Sequence, residues 1–376
     1  MRVLHLTSGM KWTGPAAVAV DQVAALREAG AEAEIAVAAN SPLAERLAEH
    51  GWVRPLLAPG RRPSDFLRDV SALAETLARE PFDVVHAHGS HDHLVAVAAR
   101  GRNGPPLVRS FHHASGFRSP LSSWGRRRAW GFAFSSSALE EAFVARFGRR
   151  KPCARFSPVV DLERFRPDPR RREILAEYGI PADAFVVGTI GKMAAGRGHD
   201  VAIRILAACR EPRIVLLHVG KGDRKEALWR LAAELGVGER NFGAGYQEEN
   251  LPSLYRAMDA FLFTASGADQ GHRAVLEAMA SGLPVVCRDL PGVSDFRILK
   301  GPGFVSRSEE EAGAALDFLA THPSERRAMA EAARRGAGSF SGAEFSAGAR
   351  RFYEEVIESG NNRNVVRVSA AGGKHA

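Results

Sequence analysis

The sequence is poor in the features that mark several protein classes. It has three cysteines in 376 residues, Cys153, Cys209 and Cys287, far apart and without a CxxC pair. That excludes a disulfide framework, gives no zinc-ligand spacing and fits a reducing compartment. No run reaches roughly 18 uninterrupted apolar residues, so no transmembrane helix is expected. The first residues, "MRVLHLTSGMKWTG", lack a long apolar segment and a cleavage site, and read as a β-strand rather than a signal peptide. No GxGxxG is present, which disfavours a dinucleotide cofactor. The expected location is the cytoplasm, with a peripheral place on the membrane's cytoplasmic face left open.

What is present is a basic, soluble α/β pattern. Lys plus Arg number 51 against 43 for Asp plus Glu, a net charge of +8 that suits anionic partners without choosing among them. Short apolar runs alternate with helical patterns. "RVLHLTS" (2–8), "EAEIAVAA" (32–39), "FDVVHAH" (82–88), "PLVRSFH" (106–112) and "WGFAFSS" (130–136) read as strands, and "AAVAVDQVAALREAG" (16–30) as a helix closed by Gly30. A proline-rich, charged stretch at 156–174 reads as a linker. Alternation then restarts with "AFVVGTIG" (184–191), "RIVLLHVG" (213–220), "DAFLFTAS" (259–266) and "GLPVVC" (282–287). The expected architecture is α/β, two Rossmann-like doubly wound domains facing across a cleft. The first covers 1–165 and the second 166–344. Residues 345–360 form a terminal helix packed back on the first domain, and 361–376 a flexible tail without helical period.

Ligands of such sheets sit beyond the carboxyl ends of the strands, which draws attention to four loops. In "SGMKWTGPAA", Gly9 and Gly14 let backbone approach a ligand at a helix start. In "TIGKMAAGRGHD", Gly191 is followed by Lys192 and Arg197, two cations able to clamp a diphosphate, unless they are merely solvated. In "HVGKGDRKEAL", Gly220 and Gly222 offer bare backbone, and Asp223 is placed to cap the next helix. In "DQGHRAVLEAMASGLPVV", Asp269 precedes a helix start at Gly271, His272 and Arg273 whose free N–H groups suit a phosphate. Glu277 lies among Val275, Leu276, Ala278 and Met279, so its carboxylate needs a hydrogen-bonding partner, which a ribose diol would supply. A cap with a surface salt bridge is the rival reading.

The stretch "VVHAHGSHDH" has metal-like histidine spacing, but no matching Cys or Glu cluster accompanies it, and no metal is expected. His112, at the end of its strand, is better placed to bond a substrate hydroxyl or stabilise charge; a structural histidine is the alternative. Arg126, Arg127 and Arg128 between Trp124 and Trp130 suit an anionic membrane surface or a phosphorylated acceptor, or form a solvated charge run. Nucleic acid is not an expected partner, since none of its binding modules is present.

Taken together, these residues resemble the retaining glycosyltransferases of family 4, of GT-B architecture, over nearly the whole chain to about residue 358. "GKMAAGRG" resembles the family's G-R/K-L-x-x-x-K-G clamp, with Lys192 and Arg197 in the cationic places. "HVGKGD" resembles V-G-x-G-x, and "DQGHRAVLEAMASGLPVV" resembles E-G-F-G-x-x-x-x-E-A-M-A-x-G-x-P-V-V. "LPGVSD" (290–295) resembles G-G-x-x-E, and "TGPAA" the loop facing diphosphate and acceptor. The resemblance implies that Asp269 contacts the donor sugar, Glu277 the nucleotide ribose, and His112 lines the donor-sugar site. Asp269 stands where the family has Glu, and Pro15 where its first loop has a second Gly; Gln270 and His272 also depart from the pattern, and an altered donor-sugar pocket is expected from them.

The activity so implied is transfer of a sugar, with retention, from a nucleotide-diphosphate donor (UDP by frequency in the family) to a saccharide or lipid-linked acceptor. Surface polysaccharide, lipopolysaccharide or glycolipid synthesis is the expected context. The chain has no metal-binding DxD-type motif, so Lys192, Arg197 and a helix dipole would carry the leaving diphosphate's charge. Family analogy suggests front-side attack with the leaving phosphate as base. A GT-B nucleotide-sugar epimerase and a non-catalytic sugar-nucleotide-binding protein are the alternatives.

Overall fold

A computed structural model describes residues 1–12, 14–60, 62–117, 120–168, 173–265, 272–289 and 303–371; for 14, 114–115, 120–123, 272 and 360–371 only the backbone is described. The chain forms two compact units, residues 1–159 with 342–376, and 160–341. The sequence placed the boundaries near 165 and 344. Part of the expected linker is in fact core: Val160 and Phe165 are buried in the second unit.

Among the described residues the first unit has seven strands. They are β1 (Arg2–Thr7), β2 (Glu32–Ala38), β3 (Val53–Leu57), β4 (Val84–Ala87), β5 (Leu107–Phe111), β6 (Gly131–Phe134) and β7 (Cys153–Arg155). Their order is β3-β2-β1-β4-β5-β6-β7, with parallel neighbours throughout. The second unit has β8 (Phe185–Ile190), β9 (Ile214–Val219), β10 (Asn241–Gly245), β11 (Ala260–Phe263), β12 (Val285–Arg288) and β13 (Gly303–Ser306). They lie in the order β10-β9-β8-β11-β12-β13, again parallel. Central strands such as β4 and β11 are buried along their length, hence their unbroken apolar or aromatic runs. Strand order reverses at β1/β4 and at β8/β11, and at such a switch point the following loops part and leave a crevice.

The helix Gly342–Ala371 returns to the first unit. Its residues Ala349, Phe352, Tyr353 and Val356 are buried with Val20 and Val23 of the helix Gly14–Glu28 and with Val84, Val108 and Ala133 of the sheet. The helical backbone reaches Ala371, which corrects the expectation of a non-helical tail. Residues 361–371 contain no proline, and a helix already nucleated on a packed face extends at little cost.

Other local expectations also change. Asp223 does not cap the helix Lys225–Glu234: Arg224 holds the cap position, and no side chain bonds there. Arg126 is not presented outward, since its guanidinium lies 3.6 Å from the Phe147 ring centroid. Trp124 and Arg128 of the same cluster are exposed and stack on each other at 3.9 Å.

Candidate active site

In the second unit, three strand-end loops are built into one another. Gly191 follows β8, and its N–H donates to the Val219 carbonyl at 3.0 Å. Met193 N–H donates to Lys221 O at 3.1 Å, and Arg224 N–H returns to Met193 O at 3.2 Å. A Cβ on Gly220 would lie 1.9 Å from Gly191 O, and one on Gly222 2.1 Å from Met193 O. Only glycine permits that approach, and Gly220 also has φ +147°. Thr264, just after β11, donates its hydroxyl to Gly198 O at 2.7 Å. The structure thus brings Gly191, Gly220 and Gly222 together, as the sequence spacing alone could not show.

Lys192 is exposed and Arg197 partly so. Among the described residues neither side chain is engaged in an ion pair. Both precede the helix His199–Ala208, whose first N–H groups face the same loop. Beneath it runs a buried polar chain that sequence reasoning missed. Asn241 contacts His218 Nε2 at 2.9 Å, His218 Nδ1 meets His199 Nδ1 at 2.8 Å, and His199 Nε2 meets Gly191 O at 3.3 Å. The amide ends of Asn241 are interchangeable in shape. With its NH2 rather than Oδ1 turned to His218, one proton arrangement satisfies every link, Asn241 donating to His218, His218 to His199, and His199 to the Gly191 carbonyl, and the otherwise unpartnered Asn241 Nδ2 is used. Burial holds the His218 imidazole neutral, down to about 3, and lowers His199 as well. The chain therefore braces the carbonyl on which Gly220 packs. A histidine directly behind "GRG" was its only trace in the sequence.

Glu277 lies on the helix His272–Ala280 and is 6% exposed. The partner that burial demands comes from the protein. Arg273 Nε donates to Oε1 at 2.9 Å, and the Tyr255 hydroxyl donates to Oε2 at 3.0 Å. Burial pushes the carboxyl upward, with Arg273 opposing it. Arg273 was expected to offer backbone; its side chain is what the structure engages. Asp269, Gln270, Gly271 and the segment 290–295 lie outside the described residues, as does the His272 side chain.

The first unit has its own pocket, of about 260 Å³, where the loops after β1, β4 and β5 part. Ser8, Gly9, Asp92, Arg109 and His112 line it. Gly14 begins the adjoining helix Gly14–Glu28. Arg109 is 2% exposed, bonds Ser90 Oγ at 2.7 Å and has its ordinary value lowered by burial to about 10. Asp92 accepts the Ser8 N–H at 3.0 Å, and burial raises its carboxyl. Burial lowers His112 to about 4, with His113 contributing. His112 is therefore a neutral donor and acceptor near pH 7.

Residues 12–164 match glycosyltransferase family 4, and residues 170–336 match the glycosyl transferases group 1. The chain is 29% identical over 378 residues to a D-inositol 3-phosphate glycosyltransferase of Saccharomonospora viridis, covering 89% of this chain and 87% of that one. It is 34% identical over 209 residues to a GDP-mannose-dependent alpha-(1-6)-phosphatidylinositol monomannoside mannosyltransferase of Mycolicibacterium smegmatis, covering 51% and 54%. Among solved structures, Anabaena HepE in complex with UDP superposes with a TM-score of 0.80 at 20% identity, over 93% of this chain and 99% of that one. With two Rossmann-like sheets, the interlocked glycine loops and both halves matched, the chain belongs to glycosyltransferase family 4 and is a sugar-transferring enzyme.

Proposed function

We propose that this enzyme moves a sugar from a nucleotide-diphosphate donor to a hydroxyl of a saccharide or lipid-linked acceptor, with retention at the anomeric carbon. The observation that carries the reading is the glycine cradle at Gly191, Gly220 and Gly222, with Lys192 and Arg197 beside it and a helix N-terminus behind. Charge builds on the diphosphate as the glycosidic bond breaks. Cations and helix N–H groups beside the cradle stabilise that charge more than they stabilise the intact donor. Glu277, each of whose oxygens keeps a further lone pair, accepts from the ribose hydroxyls. His112, neutral, hydrogen-bonds a donor-sugar hydroxyl, and Asp269 contacts the same sugar.

UDP is the favoured base, in line with the UDP complexes of HepE; the M. smegmatis relative, by its name, uses GDP-mannose. The acceptor class follows the relatives' named inositol phosphate and phosphatidylinositol mannoside substrates. The exposed Trp124 and Arg128 are placed for a peripheral hold on an anionic membrane face.

A thermal-shift panel of nucleotide diphosphates and their sugars, followed by transfer assays with the best donor, tests the proposal. Lys192→Ala is expected to lower turnover by about a hundredfold or more, the scale of removing one group that stabilises developing charge. Unchanged turnover and donor affinity in that variant would refute the phosphate assignment.

A further inference from the structure

The first unit contains a second buried chain of polar groups, and it ends at His112. Ser110 Oγ lies 2.8 Å from His86 Nε2, and His86 Nδ1 lies 2.7 Å from the Tyr353 hydroxyl. That hydroxyl is 3.4 Å from His5 Nε2, and His5 Nδ1 is 2.9 Å from His88 Nε2. His88 Nδ1 then meets His112 Nε2 at 3.3 Å. The rings of His86, His88 and His112 stack in sequence, with centroids 4.6 and 5.6 Å apart. Tyr353 comes from the terminal helix, the histidines from β1, from β4 and its following loop, and from the loop after β5. Burial lowers every imidazole in the chain, His5 to about 3 and His112 to about 4, so all are neutral near pH 7.

Neutral imidazole has one N–H and one bare nitrogen, and a hydroxyl gives one bond and accepts another. Two proton arrangements therefore make all five links while leaving no N–H or O–H inside the chain unpaired. In the outward one, Ser110 donates to His86, His86 to Tyr353, Tyr353 to His5, His5 to His88 and His88 to His112, which leaves the proton on His112 Nδ1. In the inward one every bond reverses, and His112 Nδ1 is bare. Among the described residues no hydrogen bond reaches that nitrogen, and His112 lines the pocket. A mixed arrangement would set two N–H groups or two lone pairs against each other, or leave the O–H of the fully buried Tyr353 unpaired, which is costly.

The geometry points to His5, His86, His88 and Tyr353 as positioning residues that set, as one cooperative wire, which tautomer His112 presents to the pocket. A sugar hydroxyl that donates to His112 selects the inward arrangement, and an oxygen that only accepts selects the outward one. The functional consequence rests on the proposed role of His112 at the donor sugar; the wire itself does not.

Imidazole nitrogen NMR on full-length protein with 15N-labelled histidine, near pH 7, reads each ring's tautomer. In the wild type, His86 and His112 are expected to agree: both carry the proton on Nδ1 or both on Nε2. Tyr353→Phe removes one hydroxyl and cuts the wire. His86 and His5 then each turn a bare nitrogen, rather than an N–H, toward the phenyl ring, because a buried unpaired N–H is the costlier loss. The two ends then disagree, with His86 protonated on Nε2 and His112 on Nδ1. Discordant rings in the wild type, or ends that still agree in a folded Tyr353→Phe, overturn the wire. The wild-type spectrum decides the matter even if that variant does not fold. Kinetics separates the underlying reading: kcat in Tyr353→Phe should fall about fivefold with donor KM within about twofold. Discordant ends with unchanged kcat would keep the wire and remove His112 from the donor-sugar site.

Discussion

At the scale of single residues, the glycine cradle makes the sharpest claim. Gly222→Ala must move either its own loop or Met193, because the new Cβ would sit 2.1 Å from a carbonyl oxygen. The clash is with backbone, so no side-chain rotation relieves it. Donor affinity is expected to fall at least about tenfold, since a displacement on the order of 1 Å in a positioned site costs that much or more. Isothermal titration with the donor nucleotide checks this, and unaltered affinity would mean that the loop contact does not shape the site. Arg273→Ala tests the second anchor. It leaves a buried carboxylate with Tyr255 alone, and a stability loss of about 3 kcal/mol is expected from denaturant melts near pH 7, less any relief from protonating Glu277. Glu277 was legible in the sequence as a buried acid needing a partner, but the partners were not. Tyr255 lies twenty-two residues earlier, on a different helix, and no local spacing brings the two together. His86 and Tyr353, 267 residues apart, are a stronger case of the same limit.

At the scale of elements, the terminal helix is the piece on which the first unit most depends. Phe352 is 4% exposed and lies against Gly131 of β6, where an added Cβ would come within 2.9 Å of its ring. Phe352→Ala should cost about 3 to 5 kcal/mol in urea or thermal unfolding. A loss below about 1 kcal/mol would show that the helix is not integral to this core. The strands on which the candidate loops hang were readable from the sequence as apolar runs ending in glycine or polar residues. β3, β7, β10 and β13 were not. β3 is an edge strand with Pro55 in it, β7 has three residues, and β10 carries two glycines, so each is too short or too interrupted for a period of two to show. β13 follows a segment outside the described residues and is a four-residue edge strand.

At the scale of the whole molecule, acid is the condition that the fold should tolerate least. His5 and His218 titrate near 3 when folded, His93 and His112 near 4, against about 6.5 in an unfolded chain, all because burial penalises the imidazolium. The unfolded state therefore binds more protons than the native state once the pH falls below about 6.5. Stability from these groups is intact above that value and is lost progressively down to about 4 and then 3. Near pH 5 each ring takes up about one proton on unfolding, adding about 1.4 kcal/mol per pH unit to the slope. Urea melts between pH 7 and pH 4.5 should show a steep, cooperative decline; a flat profile would mean that these rings are charged in the native state.

The chain leaves its first unit at Val159 and comes back to it at Gly342. On the ribosome, the stretch 160–341 is finished and free to collapse while its predecessor still lacks the strip that covers Val20, Val23 and Val84. The nascent N-terminal half must therefore wait, its apolar flank bare, until the helix that begins at Gly342 has been made. Any event that ends synthesis early strands that half unfinished, however well the middle of the protein has folded.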